Sequence, residues 1–176
     1  MPLILRAARP GDYAALATWI PGEGECVRWA GPLLPFPCAA HELAARLNSP
    51  GISSLVLTDA DSFDDATLGF GQFWMREPNS VHLGRIIVAP ALRGRGYGKA
   101  LCRLLLDAAL QTTCVRAATL RVFRDNGSAM NLYRGLGFEP VEELSDDEVL
   151  VMRYQASARA WSAFENRSGR SRGTNR

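Results

Sequence analysis

The sequence predicts one mixed α/β domain, a sheet with helices packed against it. Three observations carry the prediction. Short apolar, β-branched runs bounded by Pro, Gly, Asn and Asp alternate with segments of helical period, in the order β-α-α-β-β-β-α-β-α-β-β. One helical segment, residues 96–111, is long and opens directly from a glycine-rich turn. A length of 176 residues suits one domain and is enough to bury a core without staples.

Residues 3–8 have strand character, and Gly11 with Asp12 offers an N-cap for the helical pattern Tyr13, Leu16, Ala17, Ile20. Residues 21–37 are rich in Pro and Gly, hold Trp29 and Phe36, and read as a loop of a length that often carries function. Residues 41–47 read as a short helix stopped by Asn48-Ser49-Pro50-Gly51. Three strands follow at 52–58, 68–75 and 80–88. The acidic stretch 59–65 makes the first connection and a turn at Pro78-Asn79 the second. The helix at 96–111 lines up Leu101, Leu104, Leu105, Ala108 and Ala109 on one stripe. A strand at 118–123, a helix at 128–136 closed by Gly137, and strands at 138–141 and 149–154 complete the domain, taken as residues 1–155.

Composition excludes several classes of function. The hydrophobic share of 47% and charged share of 22% are ordinary for a soluble protein. No apolar run approaches the ~18–20 residues of a membrane span, and the start lacks the layout of a signal peptide, so the expected location is cytoplasmic, with no membrane partner. Net charge is +2. From Gln155 onward five arginines against Glu165 give +5 − 1 = +4, which leaves +2 − 4 = −2 for residues 1–154. A folded part of negative charge argues against nucleic acid as a partner. The segment 156–176 reads as an Arg-rich, disordered tail. The four cysteines form no C-x-x-C pair and only His41 and His82 could join them, so no metal site is expected.

The chemistry concentrates in residues 86–100, Ile-Ile-Val-Ala-Pro-Ala-Leu-Arg-Gly-Arg-Gly-Tyr-Gly-Lys-Ala. A buried strand runs into a turn with three glycines and then into a long helix. Helix N-termini carry unpaired N–H groups and partial positive charge, and glycine lets a backbone approach a phosphate closely. Arg93, Arg95 and Lys99 add formal charge, so the turn suits a pyrophosphate. A P-loop requires one more residue between glycines and a Ser or Thr where Ala100 stands. A dinucleotide fingerprint requires a glycine where Lys99 stands. The pattern R-x-x-G-x-G, at Arg93, Gly96 and Gly98, resembles the acyl-CoA pyrophosphate loop of the GNAT superfamily of N-acetyltransferases. Downstream, Val122, Asn126, Ala129, Leu132, Tyr133, Gly137 and Phe138 are similar, position by position, to the second signature of that family, V-x-x-x-N-x-x-A-x-x-L-Y-x-x-x-G-F. The resemblance covers residues 3–154 in element order, with specific motifs at 81–138.

The resemblance implies a mostly antiparallel sheet of six to seven strands with one splayed parallel pair, flanked by about four helices. It implies acetyl-CoA as cofactor, a small-molecule or peptide amine as acceptor, and direct attack of the amine in a ternary complex. Homodimers are common in the family, so a homodimer is among the assemblies it implies. It assigns cofactor contacts to Ile86, Ile87, Val88, Arg93, Gly94, Arg95, Gly96, Tyr97, Gly98, Lys99, Asn126, Ala129 and Tyr133. Backbone at 86–88 would pair with the pantetheine arm, and an N–H near Val88 would polarise the thioester. Tyr133 would donate to the departing thiolate. Asn126 and Tyr133 also read as an N-cap and a core aromatic.

Relatives carry a Glu near the position of His82, and this chain departs from that pattern. Strand alternation puts Ser80, His82, Gly84, Ile86 and Val88 on one face, so His82 reads either as base or as a structural histidine. Glu77 and Glu23 are further candidates for the base. Arg85 is expected on the opposite face, paired with a carboxylate. Glu23, Glu25, Trp29 and Phe36 suit recognition of a cationic amine, or simply a solvated loop with packing aromatics. Alternatives are a non-catalytic acyl-CoA-binding module, transfer of a different acyl group, and a nucleic-acid contact through the tail.

Overall fold

A computed structural model describes residues 2–32, 34–62, 65–158 and 161. Seven strands form one sheet in the order β1-β2-β3-β4-β5-β7-β6. They are β1 (Leu3–Ala7), β2 (Ile52–Asp59), β3 (Gly69–Glu77), β4 (Ser80–Val88), β5 (Ala117–Phe123), β6 (Glu139–Pro140) and β7 (Val149–Gln155). Every neighbouring pair is antiparallel except β4–β5. That parallel ladder runs from Ser80–Ala117 to Leu83–Leu120 and then stops, so the two strands diverge beyond Leu83.

Five α-helices flank the sheet among the described residues: α1 (Pro10–Thr18), α2 (Glu23–Ala30), α3 (Ala40–Leu47), α4 (Tyr97–Thr113) and α5 (Gly127–Gly135). Four were expected. The additional one, α2, lies in the stretch read as a loop. Its eight residues include Gly24 and bury only Cys26, so propensity and hydrophobic pattern both conceal it. Gly22 and Gly31, the latter with φ of 88°, bracket it. The start of α1 also differs. Pro10 occupies its first turn and Arg9 is the N-cap, so Asp12 sits inside the helix, where its carboxylate accepts the Arg9 N–H at 2.6 Å. The strand expected at 138–141 shortens to β6.

Two cores sandwich the sheet. On one face α4 buries Leu101, Cys102, Leu105, Leu106, Ala109 and Leu110, two adjacent columns at helical spacing. They meet Phe73, Val81, Leu83, Leu120 and Met152 from the sheet. On the other face Tyr13 and Leu16 of α1 and Leu43 and Leu47 of α3 close over Val56 and Phe70. Ala156 and Trp161 extend the first core past β7, and the Arg116 guanidinium lies 5.2 Å from the Trp161 ring centroid. The tail beyond Trp161 lies outside the described residues. No helix among the described residues is long and apolar enough to cross a membrane.

Candidate active site

The site is built where the sheet opens. β3 and β4 pair Phe70 with Ile87 but Gln72 with Gly84, so two steps on β3 oppose three on β4. The extra residue is a β-bulge at Arg85, whose φ of 51° is left-handed for a non-glycine residue. Such a conformation costs about 1–3 kcal/mol and persists only where surrounding structure enforces it. The bulge shifts the alternation of side chains, and this corrects two expectations. Ile86 joins Leu83 on the α4 side rather than His82, while Ile87 packs with the opposite core beside Phe70. Arg85, expected on the face opposite His82, lines the same pocket as His82. Its partner is not a carboxylate: Nη1 donates to Gln72 Oε1 at 2.7 Å. Gln72 is held in turn by donating to Leu47 O and Ser54 Oγ, each at 2.7 Å.

The diverging strands leave a cleft of about 640 Å³ on the α4–α5 side. Its walls include Ile86, Ile87, Val88, Arg93, Gly94, Gly96, Gly98, Lys99, Asn126, Ala129 and Tyr133 of the expected cofactor residues. Arg95 and Tyr97 do not line it. Gly94 and Gly96 adopt φ of 74° and 86°, and a Cβ at either would meet nothing within 4 Å. These glycines are therefore needed for their backbone conformation. At Gly98 a Cβ would crowd Leu132 Cδ1 at 3.3 Å, so a side chain there would press on the cleft wall. Gly96 caps α4 without any side chain. Ala100 is the first amide to bond back, to Gly96 O at 3.1 Å, so the N–H groups of Tyr97, Gly98 and Lys99 lack helical partners. With Arg93 and Lys99 beside them, these groups fit a pyrophosphate on an observation of this turn alone. Asn126 caps α5 as expected, accepting the Ala129 N–H at 3.1 Å, and it also lines the cleft.

Tyr133 stands where this cleft narrows into a smaller space of about 110 Å³ shared with Arg85, Ile86 and Phe123. Its ring packs edge-on to Phe138 at 6.0 Å, and its hydroxyl has no hydrogen-bond partner among the described residues. Burial pushes the phenol well above its ordinary value, so it stays protonated. Cys102, which sequence reasoning did not select, lies in the same cleft. Its thiol is pushed up to about 12 by burial and is no nucleophile.

The small space continues to a third pocket of about 400 Å³ on the α2 side, between β3, β4 and β5. His82 lies in its wall, 5% exposed, with Nδ1 2.9 Å from Thr119 Oγ1 and its ring 4.9 Å from that of Trp74. Burial, then the positive fields of Arg76, Arg121 and Arg85, lower His82 to about 4, so the imidazole is neutral at pH 7. Among residues expected to recognise the acceptor, only Trp29 lines this pocket. Glu23 and Glu25 are exposed on the first turn of α2, Phe36 lines a separate cavity near Cys26, and Glu77 is exposed at the end of β3. The residues missed were Arg28, Arg76 and Arg121, because no local pattern links three arginines from a helix and two strands.

Comparison with known proteins agrees with this architecture. The family model described as the acetyltransferase (GNAT) family matches residues 25–138, more than half of the chain. The N-acetyltransferase 9-like protein of Nematostella vectensis is 21% identical over 121 residues, covering 63% of this chain and 61% of its own length. The spermidine N-acetyltransferase of Vibrio cholerae, solved in complex with CoA and spermine, shares the fold with a TM-score of 0.67 at 21% identity, over 87% of this chain and 95% of that one. An aminoglycoside acetyltransferase solved in complex with coenzyme A gives a TM-score of 0.67 at 17% identity, over 92% and 98%. With its glycine turn, its splayed strands and this match, the chain belongs to the GNAT family of acetyltransferases.

Proposed function

We propose that this protein is an N-acetyltransferase that joins the acetyl group of acetyl-CoA to a primary amine by direct attack. The observation that carries the reading is continuity. The cofactor cleft, the narrow space at Tyr133 and the pocket at His82 share wall residues in sequence, so two substrates entering from opposite sides meet at the bulge. Acetyl-CoA, when bound, supplies the thioester whose acyl carbon the amine attacks.

The chain's residues divide the remaining work. Arg93, Lys99 and the free N–H groups at the head of α4 hold the pyrophosphate, and the β4 edge beyond Leu83 offers backbone groups to an extended ligand. The N–C bond forms as the C–S bond breaks. The ammonium form of the amine gives up two protons overall, one to water and one that ends on the departing sulfur, whose growing negative charge the Tyr133 hydroxyl stabilises by donating a hydrogen bond. His82 acts as a neutral acceptor that passes a proton on to water, since an imidazole held near 4 does not keep one. The domain so engaged runs through residue 155.

Two measurements test the reading. Acetyl-CoA at ~100-fold over its Kd is expected to stabilise the protein by about 2.7 kcal/mol. Gly98→Val, which fills the cleft beside Leu132, is expected to abolish that stabilisation while the unliganded protein still melts cooperatively. An equal shift in the variant would show that the glycine turn does not hold the cofactor. In initial-rate kinetics, intersecting double-reciprocal lines are expected for direct attack, and parallel lines would mean an acyl-enzyme. The pH profile of kcat/KM from 5 to 8 is expected to follow the amine's own titration, without an acid limb near 6.5. A limb there that His82→Asn removes would contradict a neutral, weakly basic His82.

A further inference from the structure

The pocket on the α2 side has a charge that does not match a polycation. Four arginines line it, Arg28 from α2, Arg76 from β3, Arg85 from β4 and Arg121 from β5, and no Asp or Glu among the described residues does. Two of the four have partial counter-ions on the rim. Arg28 meets Asp125 at 2.5 Å and Arg121 meets Asp146 at 3.6 Å, and these carboxylates are 70% and 60% exposed. Arg76 and Arg85 have no carboxylate partner among the described residues. Arg85 is the more telling. It sits on a strained bulge, half buried, and its only hydrogen-bond partner among the described residues is the neutral amide of Gln72. Desolvation works against its charge. A guanidinium kept there without an internal counter-ion retains most of its fork of N–H donors for something that enters. Trp29 adds one more donor: its Nε1–H is buried with no acceptor among the described residues.

We infer that the acceptor is a small amine that also carries an oxyanion, a carboxylate or a phosphate, which Arg85 and Arg76 bind. The inference rests on the N-acetyltransferase reading above and names its substrate class. The volume of about 400 Å³ suits a small molecule, and the walls of Trp29, Trp74 and Phe123 suit an apolar or flat body between amine and anion. The same guanidinium groups whose fields add to burial in keeping His82 neutral would repel a polyamine of the kind bound to the Vibrio cholerae enzyme.

The test compares acceptors with acetyl-CoA and the full chain: glycine, leucine and phenylalanine as carboxylate amines, O-phosphoethanolamine as the phosphate amine, ethanolamine as the neutral control, and spermidine. At least one oxyanion-bearing amine is expected to exceed ethanolamine in kcat/KM by about 10-fold or more, with spermidine lowest, and the better of the two classes identifies the oxyanion. Arg85→Gln and Arg76→Gln are expected to raise KM for that amine and to shrink its advantage over ethanolamine. A second readout needs no turnover. With CoA bound, the preferred amine is expected to raise the melting temperature, and each arginine variant to reduce the rise. A preference for spermidine or ethanolamine, an advantage unchanged in both variants, or stabilisation by none of the oxyanion amines would overturn the inference. Robust acetylation of spermidine would leave the N-acetyltransferase reading standing. Loss of acetyl-CoA stabilisation in the wild type would strike that reading instead.

Discussion

Tyr133→Phe is expected to lower kcat by about 10²–10⁴ while leaving the fold and the stabilisation by acetyl-CoA intact. The substitution removes one oxygen. That oxygen has no hydrogen-bond partner among the described residues, so its loss orphans no other group. The ring's edge-on contact with Phe138, 6.0 Å between centroids, is available to phenylalanine in the same rotamer. The effect should therefore be confined to the chemical step. Burial holds the phenol above its ordinary value of 10, so it is a hydrogen-bond donor across the working pH range. A thiol has a reference pKa of ~8.5, so full transfer from such a phenol to a thiolate is uphill. The stabilisation then comes mainly from hydrogen-bond donation as negative charge grows on sulfur, which points to the lower half of the range. Equal losses in kcat and kcat/KM would identify an interaction made only in the transition state. An unchanged kcat would remove Tyr133 from the mechanism and leave it a wall residue of the narrow space.

The contrast between Tyr133 and the arginines explains what the sequence could and could not disclose. The cofactor half of the site is local in the chain. The left-handed conformations of Gly94 and Gly96, the bare N-terminus of α4 and the Asn126 cap of α5 each depend on a few consecutive residues. Such features have spacings that can be read directly. β4, α4, β5 and α5 were legible as elements because each is one continuous stretch of its own type, although α4 buries Cys102, Leu106 and Leu110 where Leu104 and Ala108 of the expected stripe are only half buried.

The acceptor half is not local. Arg28, Arg76, Arg85 and Arg121 come from four elements, and only the sheet order brings them together. Strict alternation on β4 gave the wrong faces for Arg85 and Ile86, because a bulge adds one residue that no period predicts. The helix α2, which carries Arg28 and Trp29, is concealed by Gly24 within it, by the glycines and prolines that flank it, and by a single buried residue. Of the two readings of Glu23 and Glu25, recognition residues or part of a solvated segment, their exposure fits the second. Once 23–30 is a helix, its first turn is exposed and its later residues face the pocket.

Asp12→Ala is expected to destabilise the fold by about 3–5 kcal/mol, far more than the ~1 kcal/mol lost with a simple N-cap. Asp12 is 4% exposed and accepts four hydrogen bonds: Arg6 Nη1 at 2.7 Å, Arg6 Nη2 at 2.8 Å, the Arg9 N–H at 2.6 Å and Thr67 Oγ1 at 2.5 Å. It thereby ties β1, the first turn of α1 and the β2–β3 connection to one another. Its removal strands the Arg6 guanidinium, whose side chain is 14% exposed. Asp65 remains as a second partner to Arg6 at 2.8 Å and also meets Arg9, but it is 38% exposed, so the loss belongs nearer the lower bound. For a domain of this size the melting temperature should fall by roughly 6–20 °C. The pH dependence separates this network from a cap. Burial alone would raise the Asp12 carboxyl, but hydrogen bonds from Arg6, Thr67 and the Arg9 amide, with the charge of Arg6, outweigh it and hold the group below 3.8. A carboxyl depressed on folding contributes in full above its unfolded value of ~3.9, and that contribution is lost as pH falls through the folded value. The gap between wild type and variant should therefore stay constant from pH 5 to 8 and close below about pH 4. A constant gap near 1 kcal/mol down to pH 3 would reduce Asp12 to the helix-start residue that its sequence position first suggests.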